Sequence, residues 1–146
     1  MRISVGSDHL GYQLKGVLVP LLEQWGHKVT DEGPDHADYP DFASKVSEKV
    51  SAGTIDRGIL ICGSGIGMAI TANKHPGVRA TVADDDETAA LCRRHNDVNV
   101  LCLSGNKLTS ESARGIVQTW LGTEFEGGKH VPRLNKISAI EERATL

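Results

Sequence analysis

Five short apolar runs, each followed by a stretch with helical spacing, organise this chain. The first run is "RISVG" (2–6), after which Leu10, Leu14, Val17, Leu18, Leu21 and Leu22 recur at intervals of three and four. That pattern predicts a strand and then a helix capped by Ser7 or Asp8. Pro20 should kink this helix by removing one backbone bond and crowding the Gly16 carbonyl. "HKVTDEG" (27–33) reads as a second strand, "PDHADYP" (34–40) as a loop, and "DFASKVSEKVSAG" (41–53) as a helix ended by Gly53. "RGILIC" (57–62) is the third strand, and "IGMAITANKH" (66–75) a helix stopped by "PG". "VRATVA" (78–83) and "DETAALCRRHN" (86–96) form the next strand and helix. "VNVLCL" (98–103) is the last strand, followed by a helix over 109–121 capped by Thr109 or Ser110.

Strands that are apolar throughout are buried on both faces, and their alternation with helices predicts a parallel sheet covered on both sides. After Leu121 the chain continues as an arm (122–146) containing glycines and then a short helix with no strand to follow. Its Leu134, Ile137 and Ile140 need an apolar surface, and a neighbouring subunit is one place to find it.

Length and charge narrow the function. At 146 residues the chain is expected to be a single domain (1–146) with a substantial core. A formal charge of −3 gives no basic field for nucleic acid. No apolar run approaches the roughly 20 residues that span a membrane. The N-terminus enters a strand directly, without signal-peptide architecture. Cys62, Cys92 and Cys102 are odd in number and form no CxxC pair, so a reduced, cytoplasmic setting is expected.

In open parallel sheets, ligands bind outside the carboxyl ends of the strands. "SDH", "CGSGIG", "ADDD" and "SGNK" occupy those positions. In "CGSGIG", Gly63, Gly65 and Gly67 let the main chain turn sharply and bring N–H groups toward a bound oxygen. A cysteine at such a place tends to be usable as a thiolate, so Cys62 offers a base or nucleophile beside an anion hole. The plainer alternative makes Cys62 a small core residue and the glycines a packing device. A nicotinamide fingerprint fails on spacing, because Met68 stands where the third glycine belongs. Asp8 could be only a helix cap, His9 a solvated loop residue, and His95 with Asn96 a dipole-favoured helix end. His9, His95, Cys62 and the Asp84–Asp86 run lack metal-motif spacing, so no metal is expected.

Taken in order, "GSDHLGYQLK", "DYPDFA", "ILICGSGIGMAITANK", "GVRA", "RRHNDVNVL" and "TEFEGGKH" resemble the ribose-5-phosphate isomerase B family, which also contains galactose-6-phosphate isomerase subunits. The resemblance implies a Rossmann-like three-layer α/β/α sandwich with a five-stranded parallel sheet and an extra C-terminal helix. It implies aldose–ketose isomerisation of a sugar phosphate through an enediolate, with neither metal nor cofactor, in a homodimer or a tetramer of paired dimers with sites shared between subunits. Cys62 matches the family's proton-transferring base, Ser64 a hydroxyl assisting proton movement between sugar oxygens, and His95 the ring-opening histidine. Asp8 falls among the residues at the reacting sugar; His9 and Tyr39 match residues lining it. Gly63, Gly65, Ile66 and Gly67 match the anion-binding loop together with Asn96, and Lys129, His130 and Arg133 the phosphate-binding tail.

The chain departs from the family pattern in three places. Lys129 replaces an arginine and so loses its bidentate fork. Asn106 replaces another arginine, with Lys107 beside it. Asp84, Asp86 and Glu87 make the start of one helix acidic. These leave open another four- or six-carbon substrate, such as an erythrulose, allose or galactose phosphate. A non-catalytic phosphate- or nucleotide-binding module is the reading from a different class.

Overall fold

The computed structural model describes residues 1–33 and 37–144. Five strands, β1 (Arg2–Ser7), β2 (Lys28–Asp31), β3 (Arg57–Cys62), β4 (Ala80–Val82) and β5 (Val100–Ser104), form one sheet in the order β2-β1-β3-β5-β4. All four pairings are parallel. Helices α1 (Tyr12–Gln24), α2 (Tyr39–Ala52), α3 (Ile66–Ala72), α4 (Asp86–Asn96) and α5 (Ser110–Gly122) follow strands one to five in turn. A 3-10 turn at Gly128–His130 then leads into α6 (Val131–Ala144).

Alternation along the strands divides the core in two. Ile59, Ile61, Leu101 and Leu103 pack toward Leu18, Ile116 and Trp120 of α1 and α5, with α4 on the same side. Leu60, Cys62, Val100 and Cys102 pack on the other face against Phe42 and Val46 of α2 and Met68 of α3. The three-layer α/β/α arrangement therefore follows from period-two burial in the central strands, and it places Cys62 on the face covered by α2 and α3.

Several local expectations change. Gly11, not Ser7 or Asp8, stands at the N-cap of α1, because the Asp8 carboxylate is already taken by the turn before it. The chain approaches the sheet closely there, since a Cβ on Gly11 would lie 2.5 Å from the Ile61 carbonyl oxygen. α1 runs unbroken through Pro20. Pro20 and Gly16 are both on the exposed side, where water can reach the carbonyl left without its partner.

α2 begins at Tyr39 rather than 41, with Pro40 in its first turn, a position that tolerates proline. Of the loop expected over 34–40, residues 34–36 lie outside the described residues. α3 ends at Ala72, three residues early, because the Asn73 side chain pairs with both backbone groups of Ala80 at 2.8 and 2.9 Å. β4 is only three residues long. Thr109 caps α5 as expected, in a reciprocal box with Ser112.

Candidate active site

The sheet order makes a ligand crevice at one place. From β1 the chain steps outward to β2 on one side, while β3 joins on the other, so the strand order reverses between β1 and β3. Asp8 and Cys62 sit at the carboxyl ends of these strands. The Asp8 N–H donates to the Ile61 carbonyl at 3.2 Å, which binds the first loop to the third. Asp8 is buried, and its Oδ1 accepts from the N–H of Leu10 (2.9 Å) and Gly11 (3.3 Å). His9, next in the chain, is exposed.

Cys62 is 5 % exposed and its Sγ accepts the Gly65 N–H at 3.2 Å. Gly65 holds φ at +80°, and a Cβ there would press on the Leu103 backbone at 3.2 Å. A side chain is thus resisted on both counts. The exposed Ser64 accepts the Ile66 N–H on its Oγ at 3.1 Å. In the first turn of α3, the N–H groups of Gly67 and Met68 have no carbonyl four residues back within the helix. Tyr39, from the start of α2, packs on Gly67. One cluster therefore contains Asp8, His9, Tyr39 and the whole of Cys62–Gly67.

The fifth loop supports this cluster through contacts that the sequence pattern did not reveal. Ser104 Oγ donates to the Gly63 carbonyl at 2.6 Å, and the Gly105 N–H donates to the Cys62 carbonyl at 2.8 Å. Asn106 lies against Gly63, where a Cβ would come within 3.1 Å of its Nδ2. Lys107 pairs with Asp84 at 3.5 Å, while Asp85 caps α4 by accepting the Thr88 N–H at 2.7 Å. Asp85 therefore serves the helix start.

All three thiols are free. Burial pushes the Cys102 thiol well above its ordinary range, with Cys62 a lesser cause, and burial pushes Cys92 up to about 11. Both stay protonated at neutral pH, and Cys102 is fully enclosed in the core beside Cys62.

The remaining site candidates form a second cluster at the opposite end of the sheet. α4 runs back to the amino end of β5, carrying His95 and Asn96 with it. In the register Gly58 pairs with Val100 and Cys62 with Ser104, so the length of β5, on the order of 15 Å, separates the clusters. The arm folds onto α4 through the Glu126 N–H, which donates to the Arg94 carbonyl at 3.1 Å. The rings of His95 and His130 stack with centroids 4.4 Å apart and planes 20° apart.

His130 is buried, and its Nε2 lies 3.4 Å from Glu126 Oε2 without hydrogen-bond geometry. Glu126 Oε1 also faces Arg94 Nε at 3.5 Å. Lys129 and Arg133 flank His130 and are exposed. Glu126 lies within the "TEFEGGKH" motif, but the resemblance gives it no role, and the sequence does not show that it meets His95. Among the described residues, His95, Glu126 and His130 are the group whose ligand atoms could surround a cation.

α6 is tied to its own chain, where Leu134 is buried and Glu141 accepts the Gly77 N–H at 3.1 Å. Ile137 and Ile140 remain about half exposed. They line a groove of about 640 Å³ with Val78, Ala80, Cys92 and Val98, on the open edge of β4 and far from Cys62.

The model of the Ribose/Galactose Isomerase family matches residues 3–137. The chain belongs to the ribose/galactose isomerase family. Ribose-5-phosphate isomerase B of Escherichia coli is 44% identical over 145 residues, covering 97% of each chain. The solved ribose-5-phosphate isomerase B of Clostridium thermocellum superposes with a TM-score of 0.96 at 46% identity, over 99% of both chains. The enzyme of Mycoplasma genitalium, solved with ribulose-5-phosphate bound, superposes at 0.93 with 42% identity, over 97% of this chain and 96% of that one. Solved relatives that match nearly all of this ribose/galactose isomerase thus include one holding a ketose phosphate.

Proposed function

We propose that this chain interconverts ribose 5-phosphate and ribulose 5-phosphate through an enediolate, with Cys62 moving the proton. The observation that carries the assignment is the Gly65 N–H on Cys62 Sγ at 3.2 Å, at the carboxyl end of the central strand. A sulfur so held faces the same loop whose remaining N–H groups meet an oxygen. Removing the C2 proton of the open-chain aldose puts negative charge on the carbonyl oxygen. Main-chain donors already aimed there stabilise it without reorganisation. The thiolate takes the proton from C2 and returns it to C1, leaving a carbonyl at C2. Ser64, with Asp8 beside the crevice, serves proton movement between the two sugar oxygens. His9 and Tyr39 line the sugar.

His95 opens the furanose ring, and Lys129, His130 and Arg133 hold the phosphate. The separation of the two clusters along β5 supports a homodimer in which each site joins Cys62 of one protomer to His95 of the other. The half-exposed Ile137 and Ile140 support a partner contact for the arm. Three free thiols suit a reducing compartment such as the cytoplasm.

The deciding experiment is isomerisation in deuterium oxide. Solvent deuterium at C1 of ribulose 5-phosphate, or at C2 of recovered ribose 5-phosphate, is the expected mark of a base that exchanges with water. Complete retention of the original hydrogen in both, even under conditions that favour exchange during turnover, would count against Cys62 as a solvent-exchanging base and for direct transfer from C2 to C1. A panel of four-, five- and six-carbon sugar phosphates, compared by kcat/KM, tests the choice of substrate. A higher value for a non-pentose would connect Asn106 and the Lys107–Asp84 pair to altered specificity.

A further inference from the structure

We infer that His95, Glu126 and His130 form a binding site for a divalent cation of the zinc class, whose occupancy takes His95 out of sugar-ring opening. Two parts of the chain far apart in sequence build it. α4 supplies His95, and the arm supplies Glu126 and His130, one helical turn apart in spacing. Their ligand atoms all lie within 4.8 Å of one another. The bond from the Glu126 N–H to the Arg94 carbonyl holds the arm in register with α4, so the grouping depends on a specific backbone contact.

An independent observation points to a missing ligand. His130 is 6 % exposed, and its Nε2 is buried without a hydrogen-bond partner, 3.4 Å from a carboxylate oxygen that does not align with it. Buried polar atoms are nearly always satisfied, and an orphan beside a carboxylate and a second imidazole is the arrangement a metal ion completes. Two imidazoles and one carboxylate suit zinc and its first-row neighbours and leave a position open for water. Magnesium and calcium prefer more ligands, all of them oxygen.

Binding requires the donor atoms to draw together to about 3.3 Å, the separation set by tetrahedral bonds of about 2.0–2.1 Å. Buried His130 is the fixed anchor. Exposed Glu126 and half-buried His95 make the adjustment, with His95 turning out of its stack so that a ring nitrogen faces the ion. A nitrogen engaged with metal is no longer free to exchange a proton with the sugar. The inhibition therefore rests on the roles proposed for His95 in ring opening and for His130 at the phosphate, whereas the binding does not.

The test titrates metal-free protein with zinc against a chromophoric chelator and records the visible spectrum of the cobalt(II) form. About one equivalent per chain is expected. Glu126→Gln and His95→Gln should each weaken binding about tenfold or more, while Cys62→Ala leaves it unchanged. Cobalt should show ligand-field bands without a thiolate charge-transfer band. Zinc should slow turnover of ribose 5-phosphate, with recovery on adding chelator. No zinc uptake, affinity insensitive to Glu126→Gln, or a thiolate band lost in Cys62→Ala would each overturn the site. Tight binding with undiminished turnover would keep the site and remove its link to His95.

Discussion

Tyr39 rests on the backbone of Gly67, where a Cβ would stand 2.6 Å from the ring Cζ. The first turn of α2 thereby covers the first turn of α3, and Tyr39 keeps 40% exposure. Gly67→Ala must push the ring away. Alanine also favours the helix by about 1 kcal/mol, so the melting temperature should hardly change. The kcat/KM for ribose 5-phosphate should fall about tenfold or more, because the sugar loses one wall. An unchanged kcat/KM would show that Tyr39 does not line the sugar.

Cys62→Ala separates catalyst from binding module. Loss of the base should lower kcat by about a hundredfold or more, while the enzyme still binds ribulose 5-phosphate by calorimetry. The fold should persist, since alanine removes only one small buried group. Near-normal turnover in the variant would assign Cys62 to packing.

The carboxyl-edge cluster could be read from the sequence because its residues follow directly on apolar strands. Cys62 to Gly67 and Asp8 needed only the rule that ligands meet strand ends. The amino-edge cluster could not be reached that way. Glu126 meets His95 only because the arm folds back onto Arg94, and no periodicity encodes a single backbone bond between distant segments. The same reason explains α3, whose stop at Ala72 depends on Asn73 pairing with Ala80. It also explains Asp8, a good helix cap by type, whose carboxylate instead closes the turn before Gly11. The insertion of β5 between β3 and β4 is likewise a tertiary outcome.

Asp56 provides a pH-dependent contribution away from the site. Its hydrogen bonds from the Arg2 side chain and backbone N–H, at 2.9 and 2.8 Å, hold its carboxyl down from 3.8 to about 2. A depressed carboxyl stabilises the fold above its unfolded value, and the benefit is lost as pH falls from about 4 to about 2. The pair is substantially exposed, so the effect should be below about 1 kcal/mol. Asp56→Asn should therefore melt slightly below wild type at pH 6, with the gap closing toward pH 2 in thermal scans. A gap that is constant with pH would assign the loss to packing.

His95 and Cys62 stand at opposite ends of one sheet, and this separation predicts complementation. His95→Ala alone should lose more activity on ribose 5-phosphate, which must open its ring, than on a four-carbon sugar phosphate too short to cyclise. Cys62→Ala should lose activity on both. When the two inactive variants exchange subunits at random, half the dimers are mixed. In each mixed dimer, one site receives both defects and the other receives neither. Activity on ribose 5-phosphate should then return to about a quarter of wild type, the share set by two-fold symmetry. If each site were built within one chain, every site in the mixture would carry one defect, and exchange would restore nothing.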